Sequence, residues 1–102
     1  MAQIAVEQRE EILNLLRLHK HEIADRYGVT ELGLFGSMAR GDANAVSDVD
    51  IVVKTRIPDP YLLVDLRDDL ERLLGMRVDI VRYWQRMNPY LKRRIDREAR
   101  YV

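Results

Sequence analysis

Three aspartates are the residues of this sequence with the clearest capacity for chemistry. Asp48 and Asp50 stand two positions apart at the start of the β-branched run Ile51 to Val53, and Asp79 lies in a later apolar stretch. Side chains alternate across a strand, so the Asp48 and Asp50 carboxylates should share one face. If the two strands pair, all three carboxylates can converge. Such a cluster repels itself unless a hard divalent cation such as Mg²⁺ binds its oxygens.

A glycine-serine pair upstream of the aspartates is suited to phosphate binding. Gly36 and Ser37 lie where a predicted strand leads into one helical turn. The start of a helix presents free N–H groups, Gly36 allows close backbone approach, and the Ser37 hydroxyl is a further donor. A metal–triphosphate needs such a turn beside the carboxylates, and a pair of metal ions can hold the attacking and leaving oxygens of an in-line displacement.

The surrounding elements predict an α/β (α+β) fold, with a small mixed β-sheet packed by helices in the order α-β-(turn)-β-α-β-α. The predicted strands are residues 31–35, 50–54 and 77–82. Helices are predicted to end at Gly28 and Gly75 and to begin at Asp59-Pro60 and Asn88-Pro89. Ala99 is predicted to lie on one face of the last helix. Val49 and Ile51 should point into the core, away from Asp48 and Asp50. No repeat or composition shift divides the chain, so residues 1–102 are expected to form one domain.

Composition excludes several classes of function. The 102 residues contain 17 basic and 17 acidic side chains, and this neutral balance argues against stable nucleic-acid binding. The absence of cysteine rules out disulfides, thiolate metal sites and a cysteine nucleophile. No run approaches the roughly 18 apolar residues that span a bilayer, so we expect a cytoplasmic protein without membrane contact.

The stretch from Gly36 to Asp42, followed by Ser47 to Asp50, closely resembles the signature of nucleotidyltransferases with the polymerase-β-like fold. The short length and Asp79 as third carboxylate are similar to the minimal nucleotidyltransferase (MNT) branch. The resemblance covers nearly the whole chain. It implies that Asp48 and Asp50 bind two Mg²⁺ ions, with Mn²⁺ able to substitute, and that Asp79 binds the ion at the attacking hydroxyl and helps to deprotonate it.

The same resemblance implies a substrate and a partner. The expected catalytic and metal-binding residues are Asp48, Asp50 and Asp79; the expected ATP-binding residues are Gly36, Ser37 and Arg40. Many MNT proteins are antitoxins paired with a HEPN-domain ribonuclease toxin, and they attach AMP to a tyrosine of that toxin. Two other functions stay open: an antitoxin that acts by binding alone, and a nucleotidyltransferase that acts on a small molecule or an RNA end.

Structural alternatives exist for each candidate residue. Asp48 and Asp50 could form a solvated turn, Asp79 could protect a sheet edge, and Ser37 could only cap a helix. Arg40 could pair with Asp42 or Asp48. The segment 82–100 is rich in Lys and Arg, with only Asp96 and Glu98 opposing them. It could be a solvated helix face or a surface for an acidic partner or nucleotide phosphates. Its apolar residues Trp84, Met87 and Tyr90 could be core or interface anchors.

Overall fold

The chain folds as one mixed sheet covered by helices, in a computed structural model that describes residues 2–44 and 47–102. The described elements are α1 (Ala2–Tyr27), β1 (Val29–Phe35), α2 (Gly36–Arg40), β2 (Val49–Thr55), α3 (Pro60–Leu74), β3 (Val78–Arg82), α4 (Pro89–Glu98) and β4 (Arg100–Tyr101). The strand order is β3-β2-β1-β4. Strand β2 runs antiparallel to β1 and parallel to β3, so the predicted mixed sheet is confirmed.

The two proline-containing helix starts form as the sequence predicts. The Asp59 side chain accepts hydrogen bonds from two backbone N–H groups of α3, at 3.0 and 3.4 Å. The Asn88 side chain does the same for α4, at 2.9 and 3.1 Å. Pro60 and Pro89 follow at the first helical position, where a missing N–H leaves no hydrogen bond unmade. Both boundaries are therefore local properties of the sequence.

The two faces of the sheet are covered differently. One face packs against α1 and α3, and it buries Val49, Ile51 and Val53 completely. The other face buries Phe35 and Val52 against a smaller apolar cluster that includes Ile95 of α4. The prediction that Val49 and Ile51 point into the core is confirmed. By the alternation of side chains along β2, Asp50 lies on the α4 side.

The C-terminal strand β4 is absent from the prediction. It is two residues long and pairs with Gly33 and Leu34 on the free edge of β1. A strand this short carries no periodic pattern, so its pairing depends on the position of that edge. The prediction that Ala99 belongs to the last helix is wrong, because Ala99 follows α4 with extended backbone, which turns the chain toward β1.

The other strand boundaries differ slightly from the predicted ones. Strand β1 begins at Val29 rather than residue 31, and β3 begins at Val78 rather than residue 77. Such end effects arise because inter-strand hydrogen bonds decide where a strand starts. Within residues 2–44 and 47–102, no helix is long and apolar enough to cross a membrane.

Candidate active site

Strand register brings the predicted phosphate turn and two of the aspartates together. Phe35, the last residue of β1, is the register partner of Asp50 in β2. Asp50 is in turn the register partner of Asp79 in β3. Neighbouring strands lie about 4.8 Å apart. The start of α2 and these two aspartates therefore lie side by side, and Asp48, two residues before Asp50, is near enough to raise the pKa of Asp50.

The three aspartates differ in exposure and influence one another. Asp50 is half-buried, whereas Asp48 and Asp79 are exposed. Burial raises the pKa of the Asp50 carboxyl, and the negative charges of Asp79 and, more weakly, Asp48 raise it further. Arg94 and Arg40 oppose this shift. These surroundings disfavour the ionised form of the Asp50 carboxyl, as expected where a half-buried carboxylate lies near other carboxylates.

The donor set fits a hard divalent cation in its chemistry. Carboxylate oxygens are the protein ligands that Mg²⁺ prefers, and the register pair Asp50 and Asp79 supplies two of them from adjacent backbone positions. In the described part of the chain, however, no three His, Cys, Asp or Glu side chains are gathered closely enough to hold a metal ion as they stand. Repulsion among carboxylates opposes such gathering, and a cation would remove it.

Gly36 links the phosphate turn to Asp50. Its φ of +76° lies in the left-handed region that favours glycine. A Cβ built there would overlap Asp50 Oδ2 and lie 3.0 Å from Asp50 Cγ. Gly36 is predicted to let a phosphate approach the backbone closely. In the structure, the group that lies this close to Gly36 is the Asp50 carboxylate. Ser37, the next residue, is half-buried in α2, which ends at Gly41.

Glu98 is a member of this site that the sequence reasoning missed. Its Oε2 accepts a hydrogen bond from the Gly36 backbone N–H at 3.2 Å, and its Oε1 accepts one from Arg40 at 3.0 Å. The Arg94 guanidinium lies 3.8 Å from Oε2. The spacing of Arg94 and Glu98 on one helix predicts their pairing. No sequence pattern reveals the contact with Gly36, which is 62 positions away.

Arg40 forms two ion pairs at the rim of the site. It contacts Asp42 at 3.1 Å, as one of the predicted alternatives has it, and Glu98 at 3.0 Å. These contacts hold the guanidinium near the turn that begins at Gly36.

Of the apolar residues preceding and opening α4, Met87 is buried, whereas Trp84 and Tyr90 are exposed. The first therefore belongs to the core and the other two to the surface.

A groove lies away from the aspartates. It has a volume of about 210 Å³ between α1 and α3, and Ile23, Tyr27, Leu66 and Asp69 are among its lining residues. The Tyr27 hydroxyl donates a hydrogen bond to Asp69. This groove is on the sheet face opposite to Asp50, and none of the sequence-predicted site residues lines it.

Comparisons with known proteins agree with the fold and with the signature. The model of the nucleotidyltransferase domain family matches residues 16–102. The chain is 49% identical over 73 residues to the protein adenylyltransferase MntA of Thermococcus cleftensis, covering 71% of this chain and 74% of the relative. A solved structure of a minimal nucleotidyltransferase superposes with a TM-score of 0.70 at 34% identity, covering 88% of this chain and 95% of the other.

A more distant structural neighbour belongs to a complex. It comes from a tri-AMPylated Shewanella oneidensis HEPN toxin with an MNT antitoxin, and it superposes with a TM-score of 0.59 at 22% identity, covering 99% of this chain and 71% of the other. At this identity the likeness is one of fold. The family match and the closer relatives show that this chain belongs to the nucleotidyltransferase domain family and is a nucleotidyltransferase.

Proposed function

We propose that the chain is an antitoxin-type protein adenylyltransferase, which transfers AMP from Mg-ATP to a tyrosine hydroxyl of a partner HEPN ribonuclease toxin and thereby neutralises it. The observation that carries the chemical part of this proposal is the register Phe35–Asp50–Asp79. This register sets a turn suited to phosphate beside carboxylates suited to a metal, and a metal–triphosphate needs both.

The proposed roles come from the family resemblance, and the positions of the side chains support them. Asp48, Asp50 and Asp79 would hold the metal, with two Mg²⁺ ions expected and Mn²⁺ able to substitute. When bound, the metal stabilises charge on the phosphate oxygens and favours the ionised form of the attacking hydroxyl. The turn residues Gly36 and Ser37, together with Arg40, would bind the triphosphate.

The transfer step needs a deprotonated acceptor. A tyrosine hydroxyl has a free pKa near 10, so it is largely protonated at neutral pH. Asp79 is exposed on the outer strand β3, where an entering hydroxyl can reach it. The tyrosine Oη forms a bond to the α-phosphorus. The bond from the α-phosphorus to the oxygen that bridges it to the β-phosphorus breaks, and pyrophosphate leaves. The tyrosine proton passes by way of Asp79 to solvent.

A protein acceptor is supported by the relatives and by the exposure of two of the aspartates. The Thermococcus relative is a protein adenylyltransferase, and the Shewanella neighbour is an MNT antitoxin with an AMPylated HEPN toxin. Asp48 and Asp79 are exposed and therefore accessible to a macromolecule. The exposed aromatic residues Trp84 and Tyr90, near the start of α4, offer anchors for such a partner.

The direct test is to incubate the chain with the HEPN protein proposed as its partner, ATP and Mg²⁺, and to weigh the partner by intact-protein mass spectrometry. We expect AMP-sized increments that map to tyrosine and disappear in excess chelator. Asp48→Asn should reduce the transfer rate by orders of magnitude, because it removes a metal ligand. Asp65→Asn, an equivalent change at an exposed aspartate of α3, should leave the rate unchanged.

Three outcomes would redirect the assignment. Full transfer in excess chelator would exclude the metal-dependent mechanism. A tight complex without any mass change, together with undiminished toxin neutralisation by Asp50→Asn, would identify an antitoxin that acts by binding alone. AMP transfer to a small molecule or an RNA end, with the HEPN protein unmodified, would identify the remaining alternative.

A further inference from the structure

Helix α4 places one of its arginines beside the turn that begins at Gly36. The Arg94 guanidinium lies over the ring of Phe35, 6.0 Å from its centroid, and Phe35 immediately precedes Gly36. It also lies 3.8 Å from Glu98, which contacts the Gly36 backbone. The neighbouring Arg93 instead lies over the exposed Tyr90 ring, at 4.8 Å. Adjacent arginines on one helix thus have different surroundings, and Arg94 is the one beside the site.

A single carboxylate joins Arg94 to the rest of the site. Glu98 is held by Arg40 from α2, by Arg94 from α4 and by the Gly36 backbone N–H, and its side chain is only 14% exposed. Two guanidinium groups from separate elements and a backbone donor therefore surround one anion. Guanidinium groups bind phosphate with the same forked geometry that they use for a carboxylate.

Glu98 and a bound triphosphate would compete for these donors. The Gly36 N–H and Arg40 belong to the proposed triphosphate site, yet both are engaged by Glu98. A triphosphate placed there would meet the Glu98 carboxylate as a like charge at short range. The phosphate groups carry more negative charge than one carboxylate, so once bound they should replace Glu98 as the partner of Arg40 and Arg94.

We propose that Arg94 is a phosphate-binding residue for the nucleotide, and that Glu98 is the internal anion that holds Arg94 and Arg40 until the triphosphate replaces it. This inference rests on the proposed function, because it needs a nucleoside triphosphate at the turn that begins with Gly36. It assigns part of the basic α4 surface to the phosphates of the substrate rather than to a partner.

The test measures the affinity of the chain for a non-hydrolysable ATP analogue with Mg²⁺ by calorimetry. Arg94→Gln should weaken binding by about tenfold or more, since a hydrogen bond between charged groups is lost. Arg93→Gln removes the same charge from the same helix and should bind like the wild type. Arg94→Lys, which keeps the charge but not the fork, should lie between them. The loss should be much smaller for AMP, which lacks the β- and γ-phosphates.

Removal of the competing charge should act in the opposite direction. Glu98→Gln should bind the ATP analogue several-fold more tightly than the wild type, because Arg94 then loses its internal anion and Arg40 keeps only its pair with Asp42. Asp96→Asn is the control, since Asp96 is an exposed acid of the same helix that accepts a hydrogen bond from Tyr83 instead. Thermal unfolding of each variant would establish that it is folded.

The outcomes separate this inference from the proposed function. If the wild type binds the analogue and Arg94→Gln binds it as Arg93→Gln does, the inference is wrong and the proposed function stands. Weaker binding by Glu98→Gln would show that Glu98 supports the site rather than competes for it, and would also overturn the inference. A wild-type chain that does not bind ATP would overturn both.

Discussion

Replacing Gly36 with alanine should separate backbone strain from damage to the site, because the chain contains its own controls. Gly28, Gly36 and Gly75 all have positive φ angles, of +68°, +76° and +66°. A Cβ at Gly28 or Gly75 would meet nothing within 4 Å, whereas a Cβ at Gly36 would overlap the Asp50 carboxylate. The three substitutions share the strain of the left-handed backbone, and only Gly36→Ala adds the clash.

The expected magnitudes follow from this difference. Left-handed backbone costs a residue with a Cβ roughly 1–2 kcal/mol. Gly28→Ala and Gly75→Ala should therefore lower the free energy of unfolding by about that amount, which corresponds to a fall in Tm of about 4–8 °C per kcal/mol in a domain of this size. Gly36→Ala should lose at least as much. It should also displace Asp50, and a misplacement of about 1 Å in a catalytic arrangement can lower a rate by about 100-fold.

The assay pairs thermal unfolding with the rate of AMP transfer, measured below the Tm of the least stable variant. Gly28→Ala and Gly75→Ala should transfer AMP at the wild-type rate, and Gly36→Ala should be slower by about 100-fold. If Gly36→Ala transfers AMP as fast as the two controls, then the contact between Gly36 and Asp50 does not matter for catalysis. Equal loss of activity in all three variants would attribute the defect to stability alone.

Three further predictions concern single side chains. Burial and the charge of Asp79 raise the pKa of Asp50, so ionisation of Asp50 destabilises the fold. Without metal at neutral pH, Asp50→Asn should therefore have a higher Tm than the wild type. This difference in Tm should shrink as the pH falls below the raised pKa, because the wild-type Asp50 is then protonated. A lower Tm for Asp50→Asn would contradict this. Asp79→Asn should slow AMP transfer more than it weakens ATP binding, because Asp48 and Asp50 remain to hold the metal of ATP; equal losses in calorimetry and transfer assays would argue otherwise. Asp59→Ala removes the cap of α3 and should lower the free energy of unfolding by about 1 kcal/mol in thermal melts without changing transfer.

Much of the fold follows from local sequence signals. The cap-and-proline pairs Asp59-Pro60 and Asn88-Pro89 favour helix starts locally, because the side chain and the proline act on the backbone within one turn. Side chains alternate along an extended segment, so the run Asp48, Val49, Asp50 and Ile51 likewise places acidic side chains on one face and apolar ones on the other, whichever strands it pairs with. For this reason, the apolar side of β2 could be predicted from the sequence.

The sequence by itself therefore determined every described element except β4, the spacing of the carboxylates and the signature that marks the family. The tertiary structure decided which of these groups meet. Asp50 and Asp79 became neighbours only through the parallel register of β2 and β3, and Glu98 reached Gly36 only because α4 packs beside α2. Contacts of this kind join positions far apart in the chain, so they depend on the packing of whole elements and leave no periodic pattern along the sequence. The pairing of β4 with β1 has the same origin.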